Sequence, residues 1–183
     1  MPMKFSRCEL AGVVVIDVEY FADARGGFAR TFCQDEFEAA GVPAKVVQSA
    51  TSFNAKAGTL RGLHFQQPPH SQAKVVRVTA GAIFDVIVDL RPESATYGHH
   101  FAIELSLTNR QMLFIPKQFA HGFLTLADAT EIEYQFDEAY EPGSEGGIHY
   151  GDPDLGIRWP RRVDVIADRD AQLPQLRELT ALL

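Results

Sequence analysis

The chain has 183 residues, 46% hydrophobic and 22% charged, which is the balance of a globular protein long enough to bury one core. A net charge of −7 argues against a general nucleic-acid surface, so an anionic ligand has to be met by a few cations gathered in one pocket. Cys8 and Cys33 are too few for a disulfide framework, no apolar run is long enough to span a membrane, and Met1 to Glu9 lacks the apolar stretch of a signal peptide.

The expectation is therefore one domain over residues 1–183, cytoplasmic, with neither nucleic acid nor membrane as partner. Gly12 to Glu19 reads as a first strand on its run of valines and Ile16. Asp23 to Gly27 is a turn, and Phe28 to Phe32 resumes extended structure. Gln34 to Ala40 is a short helix stopped by Gly41. Val46 to Ser52 is a further strand, followed by a loop into Gly58–Gln66, where Arg61 and His64 stand three residues apart among glycines and apolar residues.

From Lys74 onward the pattern is almost wholly β. Val75 to Thr79, a turn at Ala80-Gly81, and Ala82 to Leu90 read as a hairpin. In its second arm Phe84, Val86, Val88 and Leu90 share one face, and Ile83, Asp85, Ile87 and Asp89 the other. Phe101, Ile103, Leu105 and Leu107 alternate with polar or small residues. Met112 to Ile115 and His121 to Leu126 continue the series. Ile132, Tyr134 and Phe136 then share a face, which points the Tyr134 hydroxyl inward. Many short strands with Gly and Pro turns predict an all-β barrel or two-sheet jelly roll. After Trp159-Pro160, Leu173, Leu176, Leu179 and Leu183 mark the stripe of a C-terminal helix packed on the barrel.

Several chemistries compete for these residues. His64, His70 and His121 are candidate metal ligands, but no His-x-His pair is present, and His99-His100 on a strand face opposite ways. No Gly-x-Ser-x-Gly elbow, Rossmann glycine pattern or P-loop occurs. Proton transfer remains: His64 as base, Tyr134 as acid, Lys74 beside a developing oxyanion, and Asp168 or Asp170 orienting an imidazole. The residues alone leave the bland readings open: a satisfied core histidine, a solvated strand-end lysine and a wall tyrosine.

A set of motifs runs nearly end to end: Asp23-Ala24-Arg25-Gly26-Gly27-Phe28, Gly58 to Gln66, Gln72 to Val76, Phe84 to Arg91, Phe119 to Phe123, Tyr140-Glu141-Pro142 and Ile157 to Pro160. In this order and spacing the chain resembles the dTDP-4-dehydrorhamnose 3,5-epimerase family. The resemblance implies an all-β, cupin-like double-stranded β-helix (jelly roll) with short flanking helices. It also implies a homodimer that needs no metal or organic cofactor and takes a nucleotide-diphosphate 4-keto sugar. By motif, His64 matches the family's base, Asp170 its paired carboxylate, Tyr134 the opposite-face proton donor, and Lys74 the group at the C4 keto oxygen. Arg25, Arg61, His121 and Glu145 match substrate contacts, Arg169 a basic residue near the nucleotide, and Gln48 the nucleotide-contacting region. The chain departs from the family pattern at Arg30, where Glu is frequent, and at Ala50, where Asn is frequent. Alternatives are a 3- or 5-monoepimerase, a metal-dependent cupin enzyme, and a non-catalytic sugar-nucleotide binder.

Overall fold

Side-chain alternation decides where the sheets of this protein meet, and the computed structural model, which describes residues 2–179, shows the outcome. The first strands are β1 (Lys4–Arg7), β2 (Val14–Asp17), β3 (Phe21–Asp23) and β4 (Gly26–Phe28), followed by helix α1 (Gln34–Ala39). Next come β5 (Gln48–Asn54), β6 (Thr59–Gln66), β7 (Lys74–Ala80), β8 (Ala82–Asp89) and β9 (His100–Ser106). The barrel closes with β10 (Met112–Ile115), β11 (Phe119–Thr125) and β12 (Thr130–Phe136). A strap carries β13 (Glu145–Gly147), β14 (Val165–Ile166), helix α2 (Asp168–Ala171) and a 3-10 turn at Leu176–Glu178.

Two large sheets form, one ordered β1-β2-β10-β7-β12-β5 and the other β13-β6-β11-β8-β9, with β14 added to β6. From β5 to β12 the chain switches sheet at every step except β8 to β9, which is the jelly-roll pattern. The inner faces meet in a core that includes Val76, Val78, Ile83, Ile87, Leu113, Phe119, Phe123 and Ile132. Val86, Val88 and Leu90 occupy the other face of β8 and pack against Leu155, Ile157, Trp159, Leu176 and Leu179 of the strap. Phe37 of α1 covers Val14, Ile16, Met112 and Phe114 on the outside of the first sheet. Each fully buried side chain of this kind stabilises the fold by about 1.5–3 kcal/mol.

The expected hairpin over residues 75–90 is not one. β7 pairs with β10 and β12, while β8 pairs with β9 and β11. Gly81, at φ +73°, turns the chain from one sheet into the other, and a Cβ there would fall 2.3 Å from Thr130 Oγ1. The first predicted strand is shorter, at Val14–Asp17, and β1 precedes it unforeseen. Extended pairing after the Asp23–Gly27 turn stops at Phe28, so β3 and β4 make a small exposed hairpin.

The C-terminal helix is also replaced. Pro174 disfavours helical backbone at Leu173, so α2 ends at Ala171 and, among the described residues, only a 3-10 turn follows. Leu176 and Leu179 anchor the strap to the sheet, and the Leu176 N–H donates to Asp152 Oδ2 at 2.6 Å. Leu183 lies outside the described residues.

The strap reaches β6 in two places. β13 pairs antiparallel with Gln66 to His64, and β14 runs parallel to Thr59 and Leu60. Between these contacts sits Gly62, at φ +113°, where a Cβ would lie 2.6 Å from Gly122 Cα and 2.7 Å from the His121 carbonyl oxygen. Gly62→Ala is expected to lower stability by about 2 kcal/mol or more, read as a lower denaturant midpoint. An unchanged midpoint contradicts this account of the β6–β11 contact.

Candidate active site

In a regular strand, residues three apart face opposite sides, so Arg61 and His64 would not share a wall. β6 is not regular. His121 lies opposite His64 and Phe123 opposite Arg61, so a two-residue step on β11 spans a three-residue step on β6. This bulge at Gly62-Leu63 turns both side chains into one cavity, as bulges beside functional sites commonly do. The cavity is about 400 Å³ and is also lined by Lys74, His121, Tyr134, Phe136, Arg169 and Asp170.

The His64 side holds a base. His64 Nε2 lies 2.8 Å from Asp170 Oδ1, so with the carboxylate accepting, Nε2 carries the proton and Nδ1 keeps its lone pair. Asp170 is almost fully buried, and its Oδ2 accepts the Gly62 N–H at 3.0 Å. That bond fixes the carboxylate against the bulge itself. Burial holds the His64 imidazole below its usual value of 6.5, Asp170 opposes this, and Arg169 and Lys74 add to it.

The facing wall, from the first sheet, holds an acid and a cation. Tyr134 of β12 stacks on Phe136 at 5.8 Å between centroids and meets the edge of His121 at 6.1 Å. Burial pushes its phenol far above the usual tyrosine range, with Asp85 acting the same way and Arg61 against it. Tyr134 therefore stays protonated at neutral pH. Lys74 of β7 stands beside it with Nζ 5.9 Å from the Phe136 centroid. Burial pushes the Lys74 ammonium down to about 8, with Asp85 resisting.

Of the residues singled out from sequence, His64, Asp170, Lys74, Tyr134, Arg61, His121 and Arg169 come together around this cavity. Arg61 Nε donates to Asn54 Oδ1 at 2.7 Å, which ties the guanidinium to β5. Glu145 lies in an adjoining depression of about 330 Å³ that His64 and Arg169 also line, 3.4 Å from Arg169 Nη1. Gln48 does not line the cavity; its Oε1 accepts the Tyr140 N–H at 2.9 Å and so holds the loop after β12. Arg25 is apart from the cavity, on the exposed β3–β4 hairpin, paired with Asp23 at 2.5 Å. Arg30 pairs with Glu36 at the start of α1. His70 lies outside the cavity, and among the described residues no group of three or more His, Cys, Asp or Glu is arranged to hold a metal ion.

Asp85 was missed. It is wholly buried, and its Oδ1 lies 2.7 Å from His121 Nε2, making a second imidazole–carboxylate pair beside the first. The signal was present, since a carboxylate among Ile83 and Ile87 on a core-facing strand needs a buried partner.

Because Asp170 is what raises the His64 value against burial, its removal has a definite sign. In Asp170→Asn, the His64 ring is expected to take up its proton at lower pH than in the wild type, read by NMR titration of its Cε1 proton. A midpoint that stays put or rises contradicts the pairing.

With this geometry in hand, comparisons with known proteins converge. A profile of the dTDP-4-dehydrorhamnose 3,5-epimerase family matches residues 7–178. The dTDP-4-dehydrorhamnose 3,5-epimerase of Methanothermobacter thermautotrophicus is 43% identical over 178 residues, covering 96% of this chain and 95% of the relative. A solved structure of the Bacillus anthracis enzyme of that name, with TDP and PPi bound, superposes with a TM-score of 0.93 at 39% identity, over 95% of this chain and 99% of that one. The Legionella pneumophila dTDP-6-deoxy-D-glucose-3,5-epimerase, in complex with dTDP-4-keto-L-rhamnose, gives a TM-score of 0.93 at 36% identity over 99% and 97%. The jelly roll, the two-walled cavity and full-length similarity agree: the chain belongs to the dTDP-4-dehydrorhamnose 3,5-epimerase family of carbohydrate epimerases.

Proposed function

We propose that this protein inverts C3 and C5 of dTDP-4-dehydro-6-deoxyglucose by stepwise proton transfer, giving the dTDP-4-dehydrorhamnose configuration. The observation that carries the reading is the pair of opposed walls: His64 of the second sheet, paired with Asp170 of α2, and a protonated phenol on the first sheet, across one cavity. The C4 ketone acidifies the protons on both neighbouring carbons. His64 Nδ1 takes one of them, and the electron pair of that C–H bond moves through carbon to the C4 oxygen, forming an enolate. Lys74 stabilises the oxyanion. Tyr134 then returns a proton to the same carbon from the opposite face. Inversion needs two groups on two faces, which a single shuttling histidine does not supply.

Each 1.4 kcal/mol or so of enolate stabilisation gives about tenfold in rate. A single preorganised oxyanion donor is worth about 100- to 1000-fold. Arg61 and Arg169 supply the positive charge for the diphosphate, against the −7 of the whole chain. The ketone makes these carbons acidic enough for a general base, so the scheme calls on no metal or organic cofactor. His121 and Glu145 complete the sugar and nucleotide contacts.

We also propose a homodimer. The small hairpin exposes Phe21 and Phe28, and Phe53 projects from β5, which is an edge strand of the first sheet. On the same reading Arg25 and Gln48, which this cavity does not receive, act at the nucleotide once two chains meet. Cys8 and Cys33 are free thiols, which suits the reducing cytoplasm.

Incubated in D2O with dTDP-4-dehydro-6-deoxyglucose, the protein is expected to place deuterium at both C3 and C5, read by mass spectrometry, and His64→Ala to place none. Uptake at one carbon only would make it a monoepimerase. Uptake at neither would leave a binder.

The two wall groups also fix a pH profile for kcat/KM. A neutral His64 is required, so activity falls on the acid side only below the usual 6.5. A charged Lys74 is required, so it falls on the alkaline side near 8. A profile still rising well beyond that point removes Lys74 from the scheme. Sedimentation at twice the 20.3-kDa chain mass is the expected result for the dimer.

A further inference from the structure

Asp85 is left without a task by the proton-transfer scheme. It lies on β8 with none of its surface exposed. Its Oδ1 pairs with His121 Nε2 at 2.7 Å, yet Oδ2 is buried and has no hydrogen-bond partner among the described residues. A half-satisfied buried carboxylate is costly unless its charge acts on something nearby. Two such groups are present. Lys74 and Tyr134, on the facing sheet, line the same cavity as His121, the imidazole that Asp85 holds, and the Tyr134 ring meets the His121 edge at 6.1 Å; the Asp85 charge favours the ammonium of the first and the neutral phenol of the second.

We propose that Asp85 is the positioning residue of the cation–phenol side of the cavity: it orients the His121 imidazole through Oδ1 and supplies the buried counter-charge of the Lys74 ammonium. The proposal rests on the epimerase reading, in which Lys74 must be charged when the C4 oxygen becomes an oxyanion. Asp85 also adds to burial in holding the Tyr134 proton, because an anion nearby disfavours phenolate. One carboxylate thus holds both groups in the states that the chemistry needs, without touching the sugar.

The other charged and titratable groups facing Lys74 act differently. Arg61 and His64 come from β6, His121 from β11, Tyr134 from β12, and Arg169 and Asp170 from α2. Arg61 and Arg169 are cations and disfavour a further charge. Asp170 is committed to His64 and to the Gly62 N–H. Lys45 and Asp137 line a separate shallow crevice that Lys74 also borders, and Asp137 is taken up by Lys117 at 3.4 Å and by the Ala73 N–H at 2.7 Å. Asp85 is the anion that opposes burial at Lys74.

Asp85→Asn separates charge from tether, because the amide oxygen still accepts from His121 while the negative charge is gone. The measurement is the 13C titration of ε-13C-lysine in the whole protein, with Lys74→Met assigning the resonance. Lys74 is expected to lose its proton about one pH unit or more below the wild type. The alkaline limb of kcat/KM, which reports groups of the free enzyme, should move down by the same amount. An unchanged Lys74 midpoint overturns the proposal and leaves Asp85 a structural tether of His121.

Where the Asn variant does not fold, Asp85→Ser serves, since it also removes the charge. A Lys74 midpoint lowered as for Asn supports the proposal, and an unchanged one overturns it. The lysine titration needs no turnover, so a wild-type protein that exchanges no deuterium refutes the epimerase reading separately from the Asp85–Lys74 coupling.

Discussion

With one residue too many between Arg61 and His64, β6 cannot keep an unbroken ladder with β11 and alternate its side chains at the same time. The strand resolves this at Gly62, where the absence of a Cβ lets the backbone come against Gly122 and the His121 carbonyl. Three consequences follow from that one irregularity. Arg61 and His64 face the same cavity, the Gly62 N–H is freed for Asp170, and the strap can reach β6 on either side of the bulge. A straighter β6 would turn Arg61 and His64 to opposite faces and lose the site.

The two sheets then divide the electrostatic labour. The second sheet offers an imidazole that burial keeps neutral, and α2 of the strap adds a carboxylate that fixes its tautomer. The first offers a phenol that burial keeps protonated and an ammonium weakened by the same desolvation. Low dielectric favours the neutral form of each group, so it frees the imidazole of its proton, holds the proton on the phenol and loosens the one on the ammonium. Opposed walls of a jelly roll are well suited to a reaction that must attack a carbon from two faces. The overall negative charge of the chain does not prevent this, because Arg61, Lys74 and Arg169 are gathered where the field is local.

Much of this was legible in the sequence where period two governs. The alternation of β8 correctly separated Val86, Val88 and Leu90 from Ile83 and Ile87, and these sets bury on different sides of the strand. The inward face of Ile132, Tyr134 and Phe136 was equally readable, as was α1 with its stop at Gly41. What failed was non-local. No local pattern tells a glycine that closes a hairpin from one that passes the chain between sheets, so Gly81 was misread. Leucines spaced for a helix served as anchors of an irregular strap once Pro174 broke the backbone pattern. Among the site residues, those that the family motifs picked out around His64 converge, whereas Asp85 looked like one polar residue in an alternating strand. Its partner His121 lies 36 residues away, and only the pairing of β8 with β11 brings the two together.

The strap carries a consequence for how the molecule is born. His64 and Asp170 are 106 residues apart, with β7 to β14 between them. At a translation rate on the order of 5–20 residues per second, the imidazole leaves the ribosome about 5–20 s before the carboxylate that orients it. During that interval the nascent chain adds the remaining strands of both sheets but has no paired base. The dyad is therefore completed by the docking of β14 and α2, after the walls it works between have been made.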